Sequence, residues 1–184
     1  MLNNIAATLG GGVTIVPGDY ESIATVTLTG NSTGFSLSSI PSTYTHLQLR
    51  CFLISGSGDN DVLMRFNSDS GSTYSYHTLY GTGSAAGADG SANQTFMYLA
   101  RNFATASVGA ASVVDILDYK DTNKYKTARF LSGFEDNTSH AGYRDLGLYS
   151  GSWRNTAAIT SIDIVVAGGY SLGQYTQVAL YGIK

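Results

Sequence analysis

The chain has one cysteine and one tryptophan among 184 residues, and only 12% of its residues are charged. Each scarcity excludes something. A lone Cys51 rules out an intrachain disulfide, so the fold rests on its core, and the chain suits a reducing site of synthesis. Charge at about half the ~25% usual in globular domains leaves no acidic or basic tail. Ten Lys+Arg against thirteen Asp+Glu, net −3, supply no basic stripe for nucleic-acid phosphates. The densest basic group, Lys120, Lys124, Lys126 and Arg129, is answered by Asp115, Asp118 and Asp121 and reads as a solvated hairpin tip. No apolar run approaches the ~20 residues of a membrane span. The opening MLNNIAATLGGG lacks the basic start and the apolar length of a signal peptide. No helical period is sustained after residue 18.

Glycine (22) and tyrosine (13) are abundant instead. Small residues, tyrosines and little charge suit sheets joined by tight turns, and a surface that meets other protein. The length predicts one domain that buries roughly 70% of its unfolded surface. Residues 1–18 are set apart as an N-terminal arm, extended or briefly helical. Leu2, Ile5, Ala6 and Leu9 fall on one helical face. A helix this short is marginal in water, so the arm is expected to dock through Leu2, Ile5 and Leu9 on a neighbouring subunit.

Residues 19–184 read as strands and turns. The clearest strand is Tyr44–Ile54, where Thr45, Leu47, Leu49, Cys51 and Leu53 alternate with more polar neighbours over eleven residues. Val113–Phe134 reads as a hairpin turned by Lys120-Asp121-Thr122-Asn123 and is placed in the middle of the domain. Pro41 marks a corner. Ser55–Asn60 and Gly81–Ser91 read as loops, the second the loosest internal stretch. Asn93–Arg101 reads as a strand. The pattern predicts an all-β, antiparallel two-sheet sandwich, jelly-roll-like, of about ten strands. Ile23–Leu28 is expected beside Gln177–Ile183.

Candidate chemistry is sparse. His46, His77 and His140 have no metal partner at short spacing. Glu21 and Glu135 are the only glutamates, and nothing in the spacing joins them as a glycosidase pair. There is no nucleophile elbow. Asp59, Asp61 and Asp69 crowd one strand but make no calcium loop with a closing glutamate. The expectation is a protein without catalytic residues, cofactor or metal. Trp153 with Arg154, together with Tyr74, Tyr76, Tyr80, Tyr143 and Tyr149, is suited to stacking on sugar rings. The same aromatics also suit a protein–protein contact.

Several segments resemble small virion-associated structural proteins of tailed bacteriophages from aquatic hosts. They are MLNNIAATLGGG, residues 19–26 (DYESIATV), 39–48 (SIPSTYTHLQ), 65–67 (RFN), 115–119 (DILDY), 122–127 (TNKYKT), 150–162 (SGSWRNTAAITSI) and 179–184 (ALYGIK). The resemblance implies a structural role in the virion, made in the host cytoplasm. The expected function is a capsid decoration (cement) protein, whose partners are the major capsid protein and further copies of the chain, as a trimer. The alternative is a tail-fibre or spike module that holds host surface glycans through Trp153, Arg154 and Tyr149. Neither reading involves nucleic acid or a membrane.

Overall fold

A computed structural model describes residues 18–58, 60–103, 108–135 and 146–184. Leu2, Ile5 and Leu9 of the expected arm lie outside the described residues, as do Asp59, His140 and Tyr143. The described residues form thirteen strands: β1 (Tyr20–Thr27), β2 (Gly34–Leu37), β3 (His46–Ser57), β4 (Asn60–Phe66), β5 (Tyr74–Gly81), β6 (Ala86–Gln94), β7 (Met97–Phe103), β8 (Gly109–Leu117), β9 (Lys126–Gly133), β10 (Leu146–Trp153), β11 (Ile162–Val166), β12 (Ser171–Leu172) and β13 (Gln177–Ile183). One short 3-10 turn, Ala167–Gly169, precedes β12.

Eight strands form four antiparallel pairs: β1 with β13, β2 with β11, β3 with β8, and β4 with β7. A long antiparallel ribbon has this pairing. Rolling it up lays β13 beside β3 and β11 beside β4. The result is two sheets, β1-β13-β3-β8 and β2-β11-β4-β7, which is jelly-roll order. Two hairpins interrupt the ribbon. β5–β6 is inserted between β4 and β7, and β9–β10 between β8 and β11. Both join the far side of β8, extending that sheet to β1-β13-β3-β8-β9-β10-β5-β6. β12 pairs with the end of β3 and makes the large sheet nine-stranded.

The expected neighbours are found. Val26 lies opposite Val178 and Thr27 opposite Gln177. The β8–β9 hairpin sits mid-sheet, with Val113 opposite Leu131. Leu47, Leu49, Cys51 and Leu53 all point inward, as a period of two requires. Burial pushes the Cys51 thiol up to about 12, so it is a small core hydrophobe. Between the sheets lie these residues with Met64, Phe66, Val114, Ile116, Phe130, Ile162, Ile164 and Leu180. The β1–β13 end is closed by Glu21, which accepts from the Lys184 ammonium and, at 2.9 Å, from the Tyr44 hydroxyl. Those two hydrogen bonds hold the Glu21 carboxyl below its ordinary value.

Three boundaries and one side-chain environment differ from expectation. Ser55–Ser57 belong to β3 rather than to a loop, because Gly56 and its neighbours run against β12. Gly81–Ser91 is mostly strand. Residues Ala86–Gln94 have poor strand propensity, yet they pair with β5 along nearly their whole length, so the neighbour imposes the extended backbone. The next strand therefore begins at Met97, not Asn93. The hairpin tip is not wholly solvated either. Lys124 does pair with Asp118 at 2.7 Å and Asp121 at 3.3 Å. Lys126 instead is buried beneath the tip, where its ammonium replaces water with backbone carbonyls.

Candidate functional site

In a two-layer fold a strand needs one apolar side. β9 and β10 have two. Inward, Ala128, Phe130, Tyr149 and Trp153 join the core. Outward, Leu131, Leu146 and Leu148 face solvent. Antiparallel register sets these outward residues in line. Val113 of β8 lies opposite Leu131 of β9, Leu131 opposite Leu148 of β10, and Leu148 opposite Leu79 of β5. The row ends at Ala88 of β6 on one side. On the other it ends at Arg50 of β3, which lies opposite Val113 and turns its guanidinium over the Tyr20 and Tyr181 rings. Its four large apolar members are between 42% and 62% exposed.

A second row runs alongside: Phe52, Ala111, Gly133, Leu146, Gly81 and Ala86. The Phe52 ring lies across Gly109, where a Cβ would strike it. The third row is polar and reads Gln48, Asp115, Arg129, Ser150, His77 and Gly90. Gln48 donates to Asp115 at 2.7 Å. The face is thus an apolar band with one polar border. It is not quite flat. A hollow of about 450 Å³ lies among His77, Leu79, Ala88, Arg129 and Leu148, and one of about 630 Å³ lies over Gly81, Ala111, Gly133 and Leu146. Single exposed leucines are ordinary, but a contiguous apolar band on a rigid sheet marks a contact surface. It supplies shape and hydrophobic area, with no acid–base pair at its centre.

The residues singled out for sugar stacking lie elsewhere. Trp153 is 1% exposed, packed against Phe66 (ring centroids 5.6 Å apart) and stacked with Tyr74 (6.4 Å). Tyr149 is buried and stacks on Phe130 at 5.6 Å. Neither ring has a face to offer a sugar, which corrects that expectation. β10 turns both inward because they alternate with Leu146 and Leu148. Arg154 is exposed, but its guanidinium donates to the Ser72 carbonyl at 2.9 Å and to Asn93 Oδ1 at 2.6 Å, tying the β4–β5 connection to β6.

The remaining candidates are dispersed. His46 Nδ1 accepts from the Asp118 backbone N–H at 2.9 Å, while His77 stands on the outer face. Among the described residues, no group of three His, Cys, Asp or Glu side chains could hold a metal ion. Asp69 has a structural partner instead. It accepts from the Trp153 indole N–H (2.7 Å), the Gly71 N–H (2.8 Å) and the Thr73 hydroxyl (2.9 Å). Burial pushes its carboxyl up, but these hydrogen bonds outweigh that and hold it below its ordinary 3.8. Its contribution to stability is therefore complete above pH 3.8 and is lost as pH falls through the lower folded value. Asp69→Ala leaves the buried indole N–H unpaired and is expected to cost about 2 kcal/mol at neutral pH. Urea unfolding at pH 7 and near pH 3 is expected to show that this difference shrinks in acid; a constant difference would assign Asp69 no titrating role.

No family model matches this chain, and neither does any curated protein or solved structure. Leu131, Leu146 and Leu148 are not singled out at the level of sequence, because each alone is an ordinary strand-forming residue. The available signal was apolar side chains on both alternations of RFLSGF and LGLYSGSW.

Proposed function

We propose that this protein is a non-enzymatic structural component of a bacteriophage virion, a decoration protein that stiffens the capsid shell through contacts with the major capsid protein. The observation that carries the reading is the exposed Val113–Leu131–Leu148–Leu79 row, a surface whose chemistry is suited to adhesion. The segments that resemble virion proteins support the phage setting. The residue 1–18 arm would add a second contact through Leu2, Ile5 and Leu9. Such a protein works by mass action. A subunit that binds only the closed shell stabilises that state, and many copies multiply a modest affinity.

The tail-fibre reading has less support, since Trp153 and Tyr149 are buried and Arg154 is tied into the fold. Quantitative mass spectrometry of purified particles separates the two. Decoration requires hundreds of copies per particle. A handful of copies, at the level of tail components, would sink the proposal.

A further inference from the structure

We infer that the outer face of β8, β9, β10 and β5 is the seat of a second copy of this chain, packed sheet on sheet about a two-fold axis. This rests on reading the face as a protein contact, not on the virion setting. The argument begins with symmetry. The four large apolar side chains of the row stand on adjacent strands, so their centre falls between Leu131 on β9 and Leu148 on β10. A two-fold axis along the strand direction at that point exchanges β9 with β10, and β8 with β5.

Each row then meets itself, and the pairings are complementary. Leu131 faces Leu148 of the second copy, and Val113 faces its Leu79. At the rim Arg50, its guanidinium turned over Tyr20 and Tyr181, stands beside the small Ala88 of the second copy. In the next row, Leu146 faces Gly133 of the second copy, which lines the larger hollow. A large side chain thus meets a gap. Phe52 faces Ala86, and Ala111 faces Gly81. In the polar border, Asp115 faces His77 of the second copy, and Arg129 faces Ser150. No pair brings two like charges together. An axis perpendicular to the strands would instead lay Asp115 and Arg129 over Ala111 and Gly133, burying charge against apolar groups.

The area is sufficient. From β3 to β6 there are five strand spacings, roughly 24 Å, and the three rows together with the next one, Leu117, Thr127, Ser152 and Ser75, span about 20 Å. That is on the order of 500 Å² per copy before side-chain relief, so the pair reaches the ~1,000 Å² expected of a specific interface. Two sheets packed face to face, about 10 Å apart and crossed by the twist, are a common arrangement. A dimer built this way, in place of the trimer expected from the sequence, covers the apolar band with a second copy and leaves the small sheet and the residue 1–18 arm to meet the major capsid protein.

Sedimentation equilibrium of the full chain tests this. The expected mass is twice the 19.4 kDa of one chain. Two double variants are informative, Leu131→Asp with Leu148→Asp, and Leu131→Lys with Leu148→Lys. These positions are exposed, so circular dichroism is expected to be unchanged. Each variant alone is expected to dimerise at least about 100-fold more weakly, because two central anchors are lost on each side and like charges face one another. Mixed together, they are expected to form a heterodimer. A monomeric wild type at about 100 µM overturns the inference. So do variants that dimerise as tightly as wild type, or a mixture that fails to pair. If the wild type is monomeric and the acidic variant no longer binds shells, the face belongs to another protein: the dimer falls and the contact-surface reading stands.

Discussion

Trp153→Ala is expected to destabilise the domain by about 4 kcal/mol, within the range for removing a large buried aromatic. The indole fills the space between Phe66 and Tyr74 where β10 ends, and it is 1% exposed. Its removal leaves a cavity that the rigid sheets cannot close. It also strips Asp69 of its shortest hydrogen bond and loosens the Ser68–Thr73 turn. For a domain of this length the melting temperature is expected to drop by about 10 °C. Trp153→Phe keeps most of the volume and loses only the N–H, so it is expected to recover more than half of the stability. Thermal and urea unfolding measure both. The chain's single tryptophan makes the wild type its own reporter, with a blue-shifted emission that moves red on unfolding. A Trp153→Ala protein as stable as wild type, with lost sugar binding, would return Trp153 to the surface role that its burial argues against.

Lys126→Met is expected to cost about 3 kcal/mol, for a different reason. The ammonium has no exposed surface and donates to the carbonyls of Asp121 (2.5 Å), Lys124 (2.9 Å) and Thr156 (3.1 Å). It pins the β8–β9 turn to the segment after β10, reinforcing the Lys126–Trp153 strand pair and the Ile159 N–H that donates to the Tyr119 carbonyl at 2.9 Å. Methionine matches the length and the hydrophobic stem but leaves three carbonyls without a donor, and each unmet buried polar group costs about 1 kcal/mol or more. Hydrogen exchange is expected to rise across residues 118–126 and 155–158 together. A loss below about 0.5 kcal/mol, or exchange confined to one segment, would mean that water replaces the ammonium without penalty.

These two residues mark where sequence reasoning stopped. Lys126 stands among lysines and aspartates that do lie at the surface, and nothing local distinguishes it from Lys124. Trp153 follows Ser-Gly-Ser and precedes Arg-Asn, neighbours typical of a turn. Both were turned inward by what lies across from them. β6 is the same case in backbone form. AGADGSANQ has the composition of a loop, and only a partner strand with open hydrogen-bonding groups makes it extended. The two-sided apolar pattern of β9 and β10 is present in the sequence, but the alignment of the outer row is not, because its members come from four strands and are brought into line by register alone.

What the sequence determined by itself was the alternation of side chains, because a strand's period of two is a local property of the backbone. That is enough to identify Leu47, Leu49, Cys51 and Leu53 as one face, to place a turn after Leu117, and to expect an all-β sandwich. Only the tertiary structure decided which alternation of β9 and β10 is covered, since both are apolar and the choice depends on which surface the opposite sheet reaches. The inserted hairpins carry those strands beyond the jelly-roll core, so one apolar side packs inward and the other is left facing out.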